Sequence, residues 1–558
     1  MPSSLDSSRS VRGFSYWTSR TAGPILIPFL LLALAEGVLR LFGYGYSTSL
    51  MEPCVIHGHP SSCYNLFFPA PYFPPGMIKT PQMYSIDPVK PSSAFRIYVL
   101  GESAAMGDPD PAYGFSRYLE IMLRQRYPNA KFEVVNTGMV AINSHVSLAI
   151  ARELANYKPD LFIVYAGSNE VVGPFGPGTV LTTSSMSLPV IRASVFVRST
   201  RLGQLLTQAG KQRTEWRGME MFLDRQVRAD SPRMEPAYRN FSRNLQEIVR
   251  VAHASRARVL LSTIATNLKD SAPFASQHES SLSLDALNSW AQFVQQGAQL
   301  ENSSNYSEAL ALYLNAAQLD DQYAELHFRI ARCQWALGDF AAAKEHYLRA
   351  RDLDTLRFRA DSRINNIIRA VATSSGPTVQ LLDTESLFAN ESRNGVIGSE
   401  LFYDHLHFTP PGNYLMARAT LEQIVSNLPL SIQNSSTSLV ILSEAECERL
   451  LAFSIHDRKR VAREMVERMQ RPPFTTQLNH TEQIQRLMFR AVGSTELPQD
   501  TIAQYQWAIA QSPGDLTLHY KFGLFLFDFD RQAAAQQLVL SRPNDAFPVF
   551  LPDGTLIQ

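Results

Sequence analysis

The chain has 558 residues, with 51 lysines and arginines balanced by 51 aspartates and glutamates, and 45% of its residues are apolar. That length exceeds one ordinary domain and argues for about two to four units, each with enough apolar material for a core. The zero net charge excludes a strongly basic nucleic-acid binder and leaves only a local basic patch outside that exclusion.

Arg9, Arg12 and Arg20 precede an apolar run at 25–41 that only Glu36 and Arg40 interrupt. About 20 apolar residues span a bilayer, so this run with its flanks predicts a signal anchor. The basic flank predicts a cytoplasmic N-terminus with the rest of the chain outside, in a bacterial periplasm. Ala33-Leu34-Ala35 keeps a cleaved signal peptide open as the alternative. Either way the bulk of the chain is expected to be exported. Cys54 and Cys63 follow closely, and in an oxidising compartment they predict a small disulfide loop. His57 and His59 inside that loop leave a metal site with both thiols as a second reading. Cys333 falls on an apolar helical stripe and reads as a buried small hydrophobe, whereas nothing in the sequence pairs Cys447. Residues 51–93 are rich in proline and aromatics and predict a stalk packed on the domain that follows.

From Ala94 the pattern alternates strand and helix. Strands are predicted at 95–100, 132–136, 161–166, 258–264 and 379–383, with helices at 115–126 and 144–156. Such alternation implies a parallel sheet covered by helices on both faces. Right-handed crossovers bring the C-terminal strand ends to one edge, where ligands of open α/β sheets bind. Residues 171–231 interrupt the regularity directly after the third strand and are placed to shape or cover a site there.

A second interruption is a repeat. Gly338, Phe340, Ala343, Tyr347 and Ala350 within 324–357 match the roughly 34-residue tetratricopeptide pattern of paired helices. Residues 290–323 are a looser copy, with Gly297, Tyr306, Ala309, Tyr313 and Ala316. After the last strand, 412–427 predicts a closing helix and 431–438 a linker. The remainder is helical, with a repeat-like look over 501–545.

Four short blocks lie along the predicted strand ends: Gly101-Glu102-Ser103, Asn136-Thr137-Gly138, Gly167-Ser168-Asn169-Glu170 and Asp404-His405-Leu406-His407. A serine hydroxyl needs a base to take its proton, and the base needs a third group to hold its ring. Asp404 and His407, two residues apart, suit a carboxylate against one ring nitrogen and Ser103 against the other. His405, adjacent to Asp404, is the poorer base. Ser103 and Gly138 offer main-chain N–H groups and Asn169 a side-chain N–H to a developing oxyanion. Asp404, His405 and His407 could also ligate a metal, but a further strong ligand cluster is missing. No glycine-rich phosphate loop follows Ser103.

The four blocks resemble those of the SGNH, or GDSL-type, hydrolases. The resemblance covers about 94–427 without the two insertions. It implies a flavodoxin-like three-layer α/β/α sandwich with Ser103 as nucleophile, His407 as base and Asp404 as the acid. It also implies an oxyanion hole from Ser103, Gly138 and Asn169, with no metal or other cofactor. Glu102 stands where the family usually has Asp, and Glu170 where Asp often follows the Asn; both are expected to brace loops. The chain is also similar to exported bacterial proteins that join such a domain to tetratricopeptide repeats.

These readings divide the chain into a cytoplasmic N-terminus (1–23), a transmembrane signal anchor (24–43) and a stalk (44–93). Two parts of the hydrolase domain (94–288 and 358–428) then flank the inserted repeats (289–357). A linker (429–440) leads to a helical C-terminal domain (441–558). The expected activity is cleavage of an acyl ester on a lipid, glycan or small molecule, facing the extracytoplasmic side of a membrane. The alternatives are O-acyl transfer to an envelope glycan or lipid, and a non-catalytic scaffold. The repeats' groove is the expected seat of a protein partner.

Overall fold

A computed structural model describes residues 26–56, 58–78, 84–182, 187–208, 215–437, 440–492, 496–542, 549–550 and 556–557. Residues 26–41 form helix α1. Strands β1 (Met51–Ile56), β2 (His59–Tyr64) and β3 (Ser85–Ile86) make a small antiparallel sheet. The predicted stalk is therefore folded onto the main core, with Phe68, Tyr72, Phe73 and Met77 all buried in it. Cys54 and Cys63 are disulfide-bonded across the β1–β2 hairpin. Their sulfurs are thus engaged with each other; His59 is exposed, and His57 lies outside the described residues. Cys333 and Cys447 are buried free thiols.

The transmembrane anchor expected at 24–43, and the membrane-facing placement drawn from it, are corrected by the fold. Among the described residues no helix is long and apolar enough to cross a membrane. At about 1.5 Å per residue, a helix over 26–41 falls short of a hydrocarbon core roughly 30 Å thick. Its Glu36 carboxylate accepts the N–H groups of Arg201 (3.0 Å) and Leu202 (2.9 Å) as well as Arg40 Nε (2.8 Å). A charge in mid-run is thereby fixed to another element of the chain, which hydropathy alone does not register. The basic flank Arg9, Arg12 and Arg20 lies outside the described residues.

The main sheet begins with β4 (Ala94–Gly101), which runs into the one-turn helix α2 (Ser103–Met106). In chain order follow α3 (Phe115–Arg126), β5 (Lys131–Asn136), α4 (Ser144–Leu154) and β6 (Leu161–Tyr165). Next come α5 (Leu188–Ser199), α6 (Arg201–Gln208), α7 (Met234–Ala254) and β7 (Arg258–Ser262). Four helices intervene: α8 (Leu284–Asn302), α9 (Tyr306–Leu319), α10 (Ala324–Ala336) and α11 (Phe340–Leu353). Then α12 (Ser362–Ser374), β8 (Val379–Leu382), α13 (Thr384–Glu391) and α14 (Pro410–Val425) complete the sandwich. The five strands are all parallel, in the order β5-β4-β6-β7-β8. Numbered along the chain this is 2-1-3-4-5, the flavodoxin-like order whose switch point lies between its first and third strands. Every residue of β4 and β6 is buried, as expected for central strands covered on both faces. Arg96 in β4 is fully buried but satisfied, since it donates to Glu133 (2.6 Å) and to the carbonyls of Tyr157 (2.7 Å) and Asp87 (3.1 Å).

Helices α8 to α11 form two antiparallel hairpins. Gly297 of α8 faces the Tyr313 ring of α9, whose hydroxyl donates to Glu301 (2.7 Å). Phe328, Ala343 and Tyr347 of the second hairpin share a core cluster with Leu268, Ala272 and Val396 of the sandwich loops.

The following region is helical, with α15 (Leu430–Gln433), α16 (Glu444–Leu450), α17 (Ile455–Met469), α18 (His480–Val492), α19 (Pro498–Gln511), α20 (Leu516–Leu526) and α21 (Arg531–Leu540). The expected helical 441–558 ends instead in two short antiparallel strands, β9 (Val549–Phe550) and β10 (Leu556–Ile557). Ser443 and Glu446 cap α16 reciprocally. Phe474, just after α17, packs edge-on to Phe274 and 5.7 Å from the His405 ring, so this unit reaches the C-terminal edge of the sheet.

Candidate active site

Ser103 is the first residue of α2, at the end of β4 and beside the switch point. Gly101 permits that sharp exit, because a Cβ there would lie 2.1 Å from the Tyr165 carbonyl oxygen of β6. Gly107, at φ +98°, ends the single helical turn and folds the chain back, so that Asp108 N–H donates to the Ser103 carbonyl at 3.0 Å. The loop before α14, closed by Thr409 as N-cap and Pro410 as the first helical residue, presents Asp404 and His407 to the same point.

His407 Nδ1 lies 2.7 Å from Asp404 Oδ2, and its Nε2 lies 2.9 Å from Ser103 Oγ. The other Asp404 oxygen accepts the N–H groups of Leu406 and His407, both at 2.9 Å, so the carboxylate is fully held. Burial pushes the Asp404 carboxyl up, but the His407 and His405 rings outweigh it and hold the group well below its usual range. Burial lowers His407, yet Asp404 and then Asp108 outweigh that and raise it above its ordinary value.

His405 packs edge-on to Phe274 at 5.1 Å, and burial depresses its basicity. Its Nδ1 is 3.4 Å from Asp404 Oδ1. Asp404, His405 and His407 have ligand-type atoms within 4.8 Å of one another. His407 nevertheless has both nitrogens engaged, one by the carboxylate and one by the serine, which is a proton-relay geometry.

The oxyanion candidates are distributed unevenly. Ser103 and Asn169 line a cavity of about 460 Å³, and Asn169 donates one amide hydrogen to the Ile142 carbonyl at 3.0 Å. Gly138 is not among the residues lining it. Its N–H donates to Asn136 Oδ1 at 2.9 Å, and a Cβ there would meet Met106 N at 2.6 Å. Ala141 reaches the cavity instead, with a left-handed φ of +61°. Gly138 is the donor expected from the sequence, but the second block turns into the site three residues later. A positive φ on alanine leaves no sequence signal.

The two glutamates sit behind the loops. Glu102 accepts the N–H groups of Gly167 (3.1 Å) and Ser168 (2.8 Å), tying the first block to the third. Glu170 accepts Ser144 N (2.7 Å) and Ser144 Oγ (2.8 Å), tying the third block to the start of α4. Burial pushes Glu102 up to about 8, with Glu170 adding to it, and burial pushes Glu170 up to about 7.

The cavity wall comes mostly from the two regions that lack block residues. Trp216, Met219 and Phe222 from the interruption after the third block, with Val172, Phe358 and Phe474, make an apolar face. Arg468, Arg471, Glu464 and Glu467, in or just after α17, supply a charged rim. The interruption at 171–231, expected to shape or cover the site, does supply Val172, Trp216, Met219 and Phe222 to the cavity wall, whereas nothing local in the sequence marks Phe358, Phe474 or the α17 rim as part of it.

The chain is similar to several solved esterases. A GDSL-like lipase from Bacteroides thetaiotaomicron aligns at 11% identity over 60% of this chain and 89% of that one, with a TM-score of 0.26. An acetylxylan esterase from Geobacillus stearothermophilus, as a catalytic mutant, aligns at 12% over 60% and 96%, with a TM-score of 0.29. A lipase/acylhydrolase from Enterococcus faecalis aligns at 10% over 60% and 97%, with a TM-score of 0.28. A tetratricopeptide repeat family model matches residues 302–359, overlapping the second hairpin and the helix before it. Comparison with curated proteins finds no match.

Proposed function

We propose that the chain is a serine esterase of the SGNH type that forms an acyl-enzyme. The observation that carries this reading is the unbroken hydrogen-bonded row Asp404–His407–Ser103, opening on the 460 Å³ cavity at the sheet's C-terminal edge. Ser103 Oγ attacks the acyl carbonyl while its proton passes to His407 Nε2. Asp404 stabilises the resulting imidazolium, and the proton then goes to the leaving alkoxide. A water attacks the acyl-enzyme, gives its proton to His407, and releases the carboxylic acid as Ser103 recovers a proton. The Ser103 and Ala141 main-chain groups and the second Asn169 amide hydrogen are the donors for the oxyanion.

The volume lies within the range of small-ligand sites, and its apolar wall suits an acyl chain of modest size. We read the catalytic unit as 94–288 with 358–428, the repeats as an insertion at 289–357, and 441–558 as a helical unit over the site. A fluorophosphonate probe tests the proposal. It is expected to label Ser103 in folded protein and to leave Ser103→Ala untouched. Folded wild-type protein that resists the probe at every pH sinks the esterase reading.

A further inference from the structure

Two carboxylates face the His407 ring. Asp404 takes Nδ1, and Asp108 Oδ2 lies 3.0 Å from Nε2, the nitrogen that Ser103 Oγ approaches to 2.9 Å. A neutral ring protonated on Nδ1 offers Nε2 as a lone pair, which suits the serine hydroxyl and repels a carboxylate. A doubly protonated ring satisfies both carboxylates but cannot take the serine's proton. Asp108 alone therefore favours the state in which His407 is no base.

Arg468 of α17 opposes this. Its guanidinium bonds Asp108 Oδ2 through Nη1 and Oδ1 through Nη2 (3.2 Å), and Glu464 holds it in turn at 3.2 Å. The His407 and Asp108 side chains are only 8% and 12% exposed, so solvent screens these interactions little. The other charged or titratable groups around the ring are His405, with centroids 5.8 Å apart, and Arg217, Glu464, Glu467 and Arg471 on the cavity rim. The neighbouring carboxylate is gripped from the same unit, since Arg460 and Lys521 both bond Asp110, the latter at 2.7 Å. The loop that follows the nucleophile turn is thus held to the C-terminal helices by three cations.

We propose that Asp108 and Arg468 are paired positioning residues that set the charge of His407, with Arg468 keeping Asp108 engaged so that the imidazole can act as a base. The C-terminal unit then completes the active site rather than merely covering it. This inference rests on the serine-esterase reading above.

The test is the pH dependence of kcat/KM on a p-nitrophenyl ester, with fluorophosphonate labelling rates measured in parallel. Asp108→Asn is expected to move the acid limb to lower pH, because the group favouring imidazolium is gone. Arg468→Gln is expected to move it to higher pH. A displacement of about one unit changes the rate about tenfold below the limb. The double variant should fall on the Asp108→Asn side of wild type, since with Asp108 neutral the loss of Arg468 frees no carboxylate to act on His407.

Acid limbs that coincide in wild type and both single variants, or that move the opposite way, overturn the inference while Ser103 labelling keeps the esterase reading. Failure of labelling in folded wild type removes the reading beneath it and the inference with it. If Arg468→Gln unfolds, nitrogen-15 NMR titration of His407 in Ser103→Ala against Ser103→Ala/Asp108→Asn decides; if Asp108→Asn unfolds, the same titration of Ser103→Ala/Arg468→Gln against Ser103→Ala decides. A lower midpoint with Asp108→Asn, or a higher one with Arg468→Gln, supports the pairing, and an unmoved or opposite one overturns it.

Discussion

Ser103 Oγ stands 2.9 Å from His407 Nε2, although 304 residues of chain separate them. The contact closes across the sheet edge, between the turn after β4 and the loop before α14, with both inserted regions between them in sequence. In the proposed mechanism the serine and its base act as one unit, so losing either is expected to remove most of the rate. Ser103→Ala and His407→Ala are each expected to lower kcat by about 10⁴-fold or more, with the double variant no worse than the singles. Steady-state hydrolysis of a short p-nitrophenyl ester measures this, and multiplicative losses in the double variant would argue against a shared role.

What the sequence made legible follows from how local each signal is. The five strands and the order of the blocks depend on short apolar runs and turn glycines, and the structure has strands at each place, from Ala94–Gly101 to Val379–Leu382. Glycine at 297 and tyrosine at 313 could be read as one repeat because the repeat itself is local. Asp108, Ala141 and Arg468 could not. Asp108 matters only because Gly107 turns the chain back, and Arg468 reaches it from 360 residues away on an ordinary amphipathic helix. The apolar run near the N-terminus misled for a related reason. Its hydropathy is visible, whereas the bonds from Glu36 to Arg201 and Leu202 are tertiary.

Glu102 supports the third block through two backbone N–H groups, at 3.1 and 2.8 Å. In Glu102→Gln the amide nitrogen faces one of those donors and leaves it unsatisfied, at a cost of about 1–3 kcal/mol. Burial, then Glu170, raises the folded carboxyl from an ordinary 4.5 to about 8. Between those values the folded state keeps a proton that the unfolded chain releases, so this group's contribution to stability falls as pH rises from about 4.5 to about 8. Urea unfolding at pH 5 and pH 8 should show the wild-type advantage over Glu102→Gln shrinking at the higher pH. An advantage that does not shrink with pH would show that the carboxyl is ionised in the folded state throughout.

The wall formed by Val172, Trp216, Met219, Phe222, Phe358 and Phe474 predicts a chain-length profile. Each buried methylene is worth about 0.8 kcal/mol, or roughly fourfold in kcat/KM, until the acyl chain meets the wall. Activity should therefore climb with acyl length and then drop. Met219 is half-buried in that wall, so Met219→Ala should move the optimum toward longer chains with little loss of stability. A profile that is flat, or unaltered by the substitution, would place the acyl group elsewhere.

Gly297 provides a test of the inserted hairpin whose sign is unusual. Replacing glycine by alanine inside a helix ordinarily stabilises it by up to about 1 kcal/mol. Here a Cβ would meet the Tyr313 ring at 2.6 and 2.9 Å. That ring cannot simply swing away, because its hydroxyl donates to Glu301 at 2.7 Å and Glu301 also pairs with Arg329 (3.2 Å) and Arg332 (2.8 Å). Overpacking typically costs about 1–3 kcal/mol, which exceeds the propensity gain. Gly297→Ala should consequently lower the urea midpoint, and Gly297→Ala with Tyr313→Leu should recover part of the loss by removing the obstructing ring. A raised midpoint in the single variant would mean that α8 and α9 have room to part, and that the glycine is not what sets their approach.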